Sequence, residues 1–273
     1  MKSQDSTGNT ALRTKRANPW IVGRFPAAGS GLRLLCFPQA GGAAGAFSSW
    51  RGRLPAGVEL LPVELPGRGT RAAEPPPGTL QELAAAALDA LRGELRAPYA
   101  LFGHSFGALV AHELARRIHR AALPAPRALL LSAARPPHLP APDTRRGRVH
   151  RAGDAELLAW LRETGGIPDA LTRHPDHLRA VLAAVRCDIR LTDSYRLERP
   201  EPLPCPLHVF GGLSDPVVPP RDLEEWDAYE GPDFSLTLHP GDHFYLYAAP
   251  DALLRDIARL TRTAARPEGS NTP

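Results

Sequence analysis

The sequence predicts an α/β fold: a mostly parallel central sheet with flanking helices and an inserted helical lid. Short, uniformly apolar runs alternate with amphipathic segments along most of the 273 residues, the pattern of strands buried on both faces and joined by crossover helices. One handover, Gly103-His104-Ser105-Phe106-Gly107, places G-x-S-x-G where an apolar run ends and an amphipathic segment begins. Between about residues 135 and 200 the alternation breaks into a proline-rich stretch and two helical patterns, which predicts an insertion over the sheet.

The elements follow in order. Residues 1–28 are polar and basic without periodicity and read as a flexible leader, with Trp20-Ile21 able to dock on the body. The folded domain is expected over 29–264, and residues 265–273 read as a disordered tail. Leu32 to Phe37 is a strand, followed by the glycine-rich loop Pro38-Gln39-Ala40-Gly41-Gly42-Ala43. That loop matches neither G-x-x-x-x-G-K-[ST] nor G-x-G-x-x-G, which argues against a nucleotide site. Val58 to Val63 is the next strand, and Leu65-Pro66-Gly67-Arg68-Gly69-Thr70-Arg71 follows it. Arg68 and Arg71 are candidates for an acidic partner or phosphate, or else solvated loop charges. Thr79 to Glu82 has the order of a capping box, opening a helix over 80–95 with apolar positions 80, 83, 84, 87, 88, 91 and 95 on one face.

The elbow strand and its helix follow, then a strand over 128–132. The insertion has helical patterns at 154–164 and 175–190, separated by Gly165-Gly166-Ile167-Pro168. Its run of Arg145, Arg146, Arg148 and Arg151 suits a solvated face slightly better than a docking patch. Strands over 207–210 and 234–238 and a helix over 250–263 complete the sheet.

The chemistry sits at the strand ends. Gly103 and Gly107 let the chain turn sharply and lift the Ser105 hydroxyl clear of the sheet, and the next helix points its positive end at any anion formed there. A serine hydroxyl needs a base, and an imidazole base needs a carboxylate to fix its tautomer. Asp215 and His243 each follow a predicted strand, so all three converge on one edge, in the Ser…Asp…His order of α/β-hydrolases. His239 still belongs to its strand, His104 should point beneath the elbow, and Asp242 is too close in sequence to reach round to the ring of His243. In folds with this elbow the oxyanion donors are the N–H after the serine and one from the first glycine-rich loop. Those are Phe106 and Gln39, with Ala40 as the substitute one residue on.

Composition excludes other classes. The net charge of +4 is almost all arginine, only Lys2 and Lys15 being lysines, and it is spread without a basic-aromatic motif, which argues against nucleic acid. Cys36, Cys187 and Cys205 are odd in number and lack C-x-x-C spacing, so they read as reduced thiols. No apolar run approaches the ~18 residues of a membrane span, and the first ten residues lack the apolar core of a secretory signal. A cytoplasmic monomer without metal or organic cofactor is expected.

Taken together, Cys36-Phe37-Pro38-Gln39-Ala40-Gly41-Gly42, Leu65-Pro66-Gly67-Arg68, Gly103-His104-Ser105-Phe106-Gly107, Gly211-Gly212 with Asp215, and Gly241-Asp242-His243-Phe244 resemble the type II thioesterases of polyketide and nonribosomal peptide synthases. Gly165-Gly166-Ile167-Pro168 and Arg186-Cys187-Asp188 fit as lid pieces. Departures are Phe106 where methionine is frequent, Cys187 where alanine is usual, and Asp242 where glycine is common. The resemblance implies an α/β-hydrolase fold and hydrolysis of stalled or misprimed acyl groups from the phosphopantetheine arm of an acyl or peptidyl carrier protein. It implies Ser105 as nucleophile, His243 as base and Asp215 as its partner, with Ala40 and Arg68 as candidate substrate or partner contacts. A general carboxylesterase, a chain-release hydrolase or acyltransferase of one pathway, and a non-catalytic protein on the same fold are the competing readings.

Overall fold

Six strands pair side by side, and the central ones are apolar on both faces and so must be covered on both. The computed structural model describes residues 17–27, 31–96, 98–140, 150–167 and 169–264. The leader over 1–16, the tail from 265, and Arg145, Arg146 and Arg148 of the lid lie outside the described residues. The strands are β1 (Leu32–Phe37), β2 (Val58–Pro62), β3 (Tyr99–His104), β4 (Leu129–Ser132), β5 (Leu207–Gly212) and β6 (Phe234–His239). They form one sheet in the order β2-β1-β3-β4-β5-β6, with every pair parallel. Every residue of β3, β4 and β5 is buried.

The strand order reverses direction between β1 and β3, and a crevice opens there at the carboxyl ends of the strands. Phe37 at the end of β1 pairs with Gly103 of β3. The glycine-rich loop and the serine elbow are therefore neighbours by topology alone.

Side chains alternate between two cores. Leu35 and Phe37 join the cluster under α1 (Leu80–Leu91) and α2 (Phe106–Arg120), whereas Leu34 and Cys36 face the other layer. That second layer contains a 3-10 turn over Ala44–Trp50 and the closing helix, where Phe47, Trp50 and Phe102 pack edge to face. Helix α1 starts on its capping box: the Glu82 N–H donates to Thr79 Oγ1 and the Thr79 N–H to Glu82 Oε2, each at 3.1 Å.

The insertion between β4 and β5 contains α3 (Asp154–Glu163) and α4 (Pro175–Ser194). Leu157, Leu161, Ile167, Leu182, Val185 and Ile189 make a separate small core between them. Further along, Leu191 at the end of α4 and Tyr195 just beyond it enter the main core, and the Tyr195 hydroxyl donates to Glu113 Oε2 at 2.8 Å. The lid is thus rooted at one end of a long helix. A short α5 (Pro220–Glu224), α6 (Tyr245–Ala248) and α7 (Pro250–Ala264) complete the helices used below. Among the described residues, no helix is long and apolar enough to cross a membrane.

Within the expected leader, Trp20-Ile21 docks on the body as the sequence allowed. Residues 17–27 lie along the β2 edge, where Ile21 bridges Val63 and Phe25 bridges Leu60 antiparallel. Trp20 is buried beneath the Arg71 guanidinium, 4.0 Å from the ring centroid. Few apolar residues are needed to cover an edge strand.

Four histidines are buried in ways that hold them neutral. Burial lowers His104, His112, His208 and His239, and His112, wedged against Trp226 and Tyr229 and repelled by Arg116, is pushed down to about 3. Neither His112 ring nitrogen has a hydrogen-bond partner among the described residues. Below the ordinary histidine value of 6.5, the unfolded chain takes up protons that the folded chain refuses, so stability is lost as pH falls. The melting temperature should therefore drop from pH 7.5 to 5. His112→Phe should flatten that slope by up to about 1.4 kcal/mol per pH unit below ~6. A wild-type-minus-variant stability difference that stays constant over this range would contradict the assignment.

Candidate active site

The turn at Ser105 is built by two close backbone approaches. A Cβ at Gly103 would lie 2.2 Å from the Gly107 carbonyl oxygen, and one at Gly107 would lie 2.2 Å from the Phe37 oxygen and 2.5 Å from the Pro38 oxygen. Only glycine fits at either place. Ser105 itself takes φ 54° and ψ −117°, which thrusts its side chain above the sheet edge. Its N–H is anchored on the Ser132 carbonyl at 2.7 Å.

The three residues expected from strand-end logic meet. Ser105 Oγ lies 3.0 Å from His243 Nε2, and His243 Nδ1 lies 2.7 Å from Asp215 Oδ2. All three are at most 9 % exposed. An ionised carboxylate only accepts, so the proton sits on Nδ1, and Nε2 is left to accept the serine proton. The second oxygen of Asp215 accepts from the N–H groups of Val217 and Val218, at 2.7 and 3.0 Å. These bonds fix the carboxylate against rotation.

The rival residues are occupied elsewhere. Asp242 accepts from the Phe244 N–H within its own turn. His239 stacks between Phe210 and Tyr245. His104 lies beneath the site, its Nδ1 2.9 Å from Ser132 Oγ, which in turn meets the Tyr245 hydroxyl at 2.8 Å. Its ring centroid is 5.2 Å from that of His243. Burial, and any charge on His243, hold it neutral, so it supports the base without competing for a proton.

The loop after β1 supplies the remaining donors. The Gly41 N–H is committed to Asp188 Oδ2 at 2.8 Å and the Gly42 N–H to the Gln39 carbonyl at 2.9 Å. Among the described residues no acceptor meets the N–H groups of Gln39 and Ala40, and both residues line the crevice beside Ser105 and Phe106. Phe106 opens α2, so its own N–H has no carbonyl one turn back.

Nucleophile, base, orienting carboxylate and unpaired amides thus converge in one crevice, a constellation suited to acyl transfer. The family model described as Thioesterase domain matches residues 32–261. The chain belongs to the thioesterase family.

Its relatives agree on chain and fold. The thioesterase is 31% identical to the gramicidin S biosynthesis protein GrsT of Aneurinibacillus migulanus, over 93% of this chain and 98% of that protein. It is similar to RedJ, the thioesterase of the prodiginine biosynthetic pathway in Streptomyces coelicolor, at 38% identity and a TM-score of 0.78, covering 86% of this chain and 94% of RedJ. It is also similar to BorB, the type II thioesterase of the borrelidin biosynthetic cluster, at 37% identity and a TM-score of 0.77, covering 87% and 95%. The α/β-hydrolase fold expected from the sequence is the fold of this thioesterase, and it is a thioester hydrolase.

Two crevices meet at Ser105. One runs under the lid and is lined by Trp160, Leu161, Val185, Ile189, Val217 and Phe244. The other is bordered by Leu109, Pro136, Pro137, Leu139, Arg135 and Arg196.

Arg68 requires a correction. It was a candidate partner contact, but its guanidinium is buried and clasps both carboxylate oxygens of Asp188, with Nη2–Oδ1 at 2.8 Å. Its neighbour Arg71 is likewise engaged, with Glu74 and Trp20. A sequence cannot show whether a loop cation meets water or a carboxylate 120 residues away. Ala40, the other candidate contact, lines the crevice. The residues that sequence reasoning missed are Asp188, read only as part of the lid, and Tyr247, whose hydroxyl donates to Gln39 Oε1 at 2.6 Å.

Replacing Asp215 with Asn keeps its shape but removes the charge that selects the His243 tautomer. Thioester hydrolysis by Asp215→Asn should fall by about 10³–10⁴ in kcat, with the melting temperature little changed. A decrease under tenfold, measured by thiol release at pH 7.5, would remove Asp215 from the machinery.

Proposed function

We propose that this thioesterase hydrolyses acyl groups from the phosphopantetheine arm of acyl or peptidyl carrier proteins, clearing stalled or misprimed units from a polyketide or nonribosomal peptide synthase. The observation that carries the reading is the Ser105–His243–Asp215 chain of contacts at 3.0 and 2.7 Å, placed where two crevices join. The apolar crevice under the lid suits an acyl chain, and the second suits the arm that delivers it. That GrsT, RedJ and BorB serve biosynthetic pathways supports a carrier-bound substrate.

The chemistry follows from the residues. Ser105 Oγ attacks the thioester carbonyl as its proton passes to His243 Nε2, and Asp215 stabilises the imidazolium. The carbonyl oxygen becomes an oxyanion facing the N–H groups of Phe106 and Gln39. Collapse expels the pantetheine thiolate, which takes the proton from His243. Water, deprotonated by the same imidazole, then attacks the acyl-serine, and a second collapse releases the carboxylic acid and restores Ser105. A thiolate leaves more readily than an alkoxide, so a thioester needs little help at the departing atom.

Hydrolysis of acetyl-, propionyl- and longer acyl-carrier proteins should be compared with that of p-nitrophenyl esters, for wild type and Ser105→Ala. Carrier deacylation across several acyl groups, lost by at least about 10³ in Ser105→Ala, is expected. Fast ester cleavage with inert carriers would make the protein a general esterase. Turnover of a single mature chain alone would make it a chain-release enzyme.

A further inference from the structure

We propose that Asp188 is a positioning residue: from the lid helix α4 it sets the Gln39 N–H in place, so that the oxyanion donor is aligned only when the lid is seated. The proposal rests on the reading of Ser105 as nucleophile and Gln39 as donor.

Asp188 is 1 % exposed and its carboxylate does two things at once. Oδ2 accepts the Gly41 N–H at 2.8 Å, and both oxygens accept from Arg68. Gly41 is two residues after Gln39, and the Gly42 N–H returns to the Gln39 carbonyl at 2.9 Å, closing a tight turn. Peptide units are rigid, so pulling on the Gly41 amide swings the Gln39 peptide within that turn. The loop also lies flat on the lid. Gly41 has φ +69°, and a Cβ there would sit 2.3 Å from Val185 Cγ2, one turn before Asp188. The donor loop therefore takes its shape from α4 as much as from the sheet.

Arg68 comes from the opposite side. It follows β2, belongs to the body, and holds Asp188 from beneath while its Nη1 approaches the Gly42 carbonyl at 3.5 Å. The adjacent Arg186 ties the lid to itself, donating to the Ala152 carbonyl and, at 2.6 Å, to Asp154 Oδ1 at the start of α3. Arg186 assembles the lid, and Asp188 connects it to the donor loop.

Energetics favour this division. Burying an ion pair yields little net stability, because desolvation offsets the attraction, but leaving one charge alone in the interior is costly. The Arg68–Asp188 pair therefore does not lock the lid down. It makes one seated position acceptable, the one in which Gly41 also finds its acceptor. Raising α4 would return both charges to water and release the loop.

The test uses the full chain, an acyl-pantetheine thioester and an acyl trifluoromethyl ketone, which mimics the tetrahedral adduct on Ser105. The paired substitution Arg68→Met with Asp188→Leu fills the site with apolar groups and removes the Gly41 acceptor without stranding a charge. It should keep the melting temperature within a few degrees, lower kcat by about 10² and weaken the ketone similarly, with KM changed less than threefold. A folded double variant with kcat and ketone affinity within threefold of wild type would overturn the proposal. So would a rise in KM alone. Should the double variant fail to fold, Asp188→Asn, which retains an oxygen for Gly41, should keep kcat within tenfold while Asp188→Ala does not. Equal losses in the two would overturn it. Wild type inert towards the thioester would instead overturn the underlying functional reading.

Discussion

The strained turn at Ser105 is the constraint on which the rest of the site depends. A non-glycine residue at φ 54° costs of order 1–3 kcal/mol and persists only where its surroundings leave no alternative. Here β3 is buried along its whole length and α2 over most of its turns, so the chain between them cannot relax. The same turn forces α2 against the end of β1, where Gly107 touches the Phe37 and Pro38 carbonyls. That contact brings the Gln39 loop beside the serine. Nucleophile and donor loop are thus brought side by side by one backbone packing event, and contact with α4 completes the shape of the loop.

Buried charges are managed consistently around this turn. Asp215 is held by two amides and an imidazole, Asp188 by an amide and a guanidinium, and Glu64 accepts from the Ala44 and Thr70 N–H groups at 2.6 and 2.8 Å. Asp188 reaches from a helix to a loop amide, whereas Asp215 and Glu64, each just past a strand, gather backbone donors around their own loops. A carboxylate with several fixed donors orders a loop more sharply than apolar contact does, because hydrogen bonds are directional. The loops that shape the crevice are therefore rigid where they meet the body. The lid, with its own small core, meets them mainly through α4.

The sheet was legible because short, largely apolar runs between amphipathic segments have few other uses, and β1 runs over the residues expected, Leu32–Phe37. The meeting of Ser105, Asp215 and His243 was legible for a related reason. Parallel strands deliver their following residues to a single edge, so position after a strand stands in for position in space. The misreadings involve contacts without a local pattern. Arg68 looked like a surface cation because nothing near it in sequence announces Asp188. Docking of Trp20-Ile21 was legible from its apolar pair, but the rest of residues 17–27 was not, because isolated bridges leave no periodicity. The 3-10 turn over Ala44–Trp50, rich in small residues, gave no helical stripe, yet it carries Phe47 and Trp50 into the second core.

The central claim is covalent catalysis at Ser105, and intact-mass analysis tests it most directly. The protein would be mixed with an acyl-pantetheine thioester, acid-quenched within milliseconds, and mapped by peptide mass. The account predicts one acyl group per chain, on the peptide containing Ser105, released on longer incubation and absent from Ser105→Ala. An acyl group on Cys187, or turnover by Ser105→Ala at a rate near that of wild type, would contradict it.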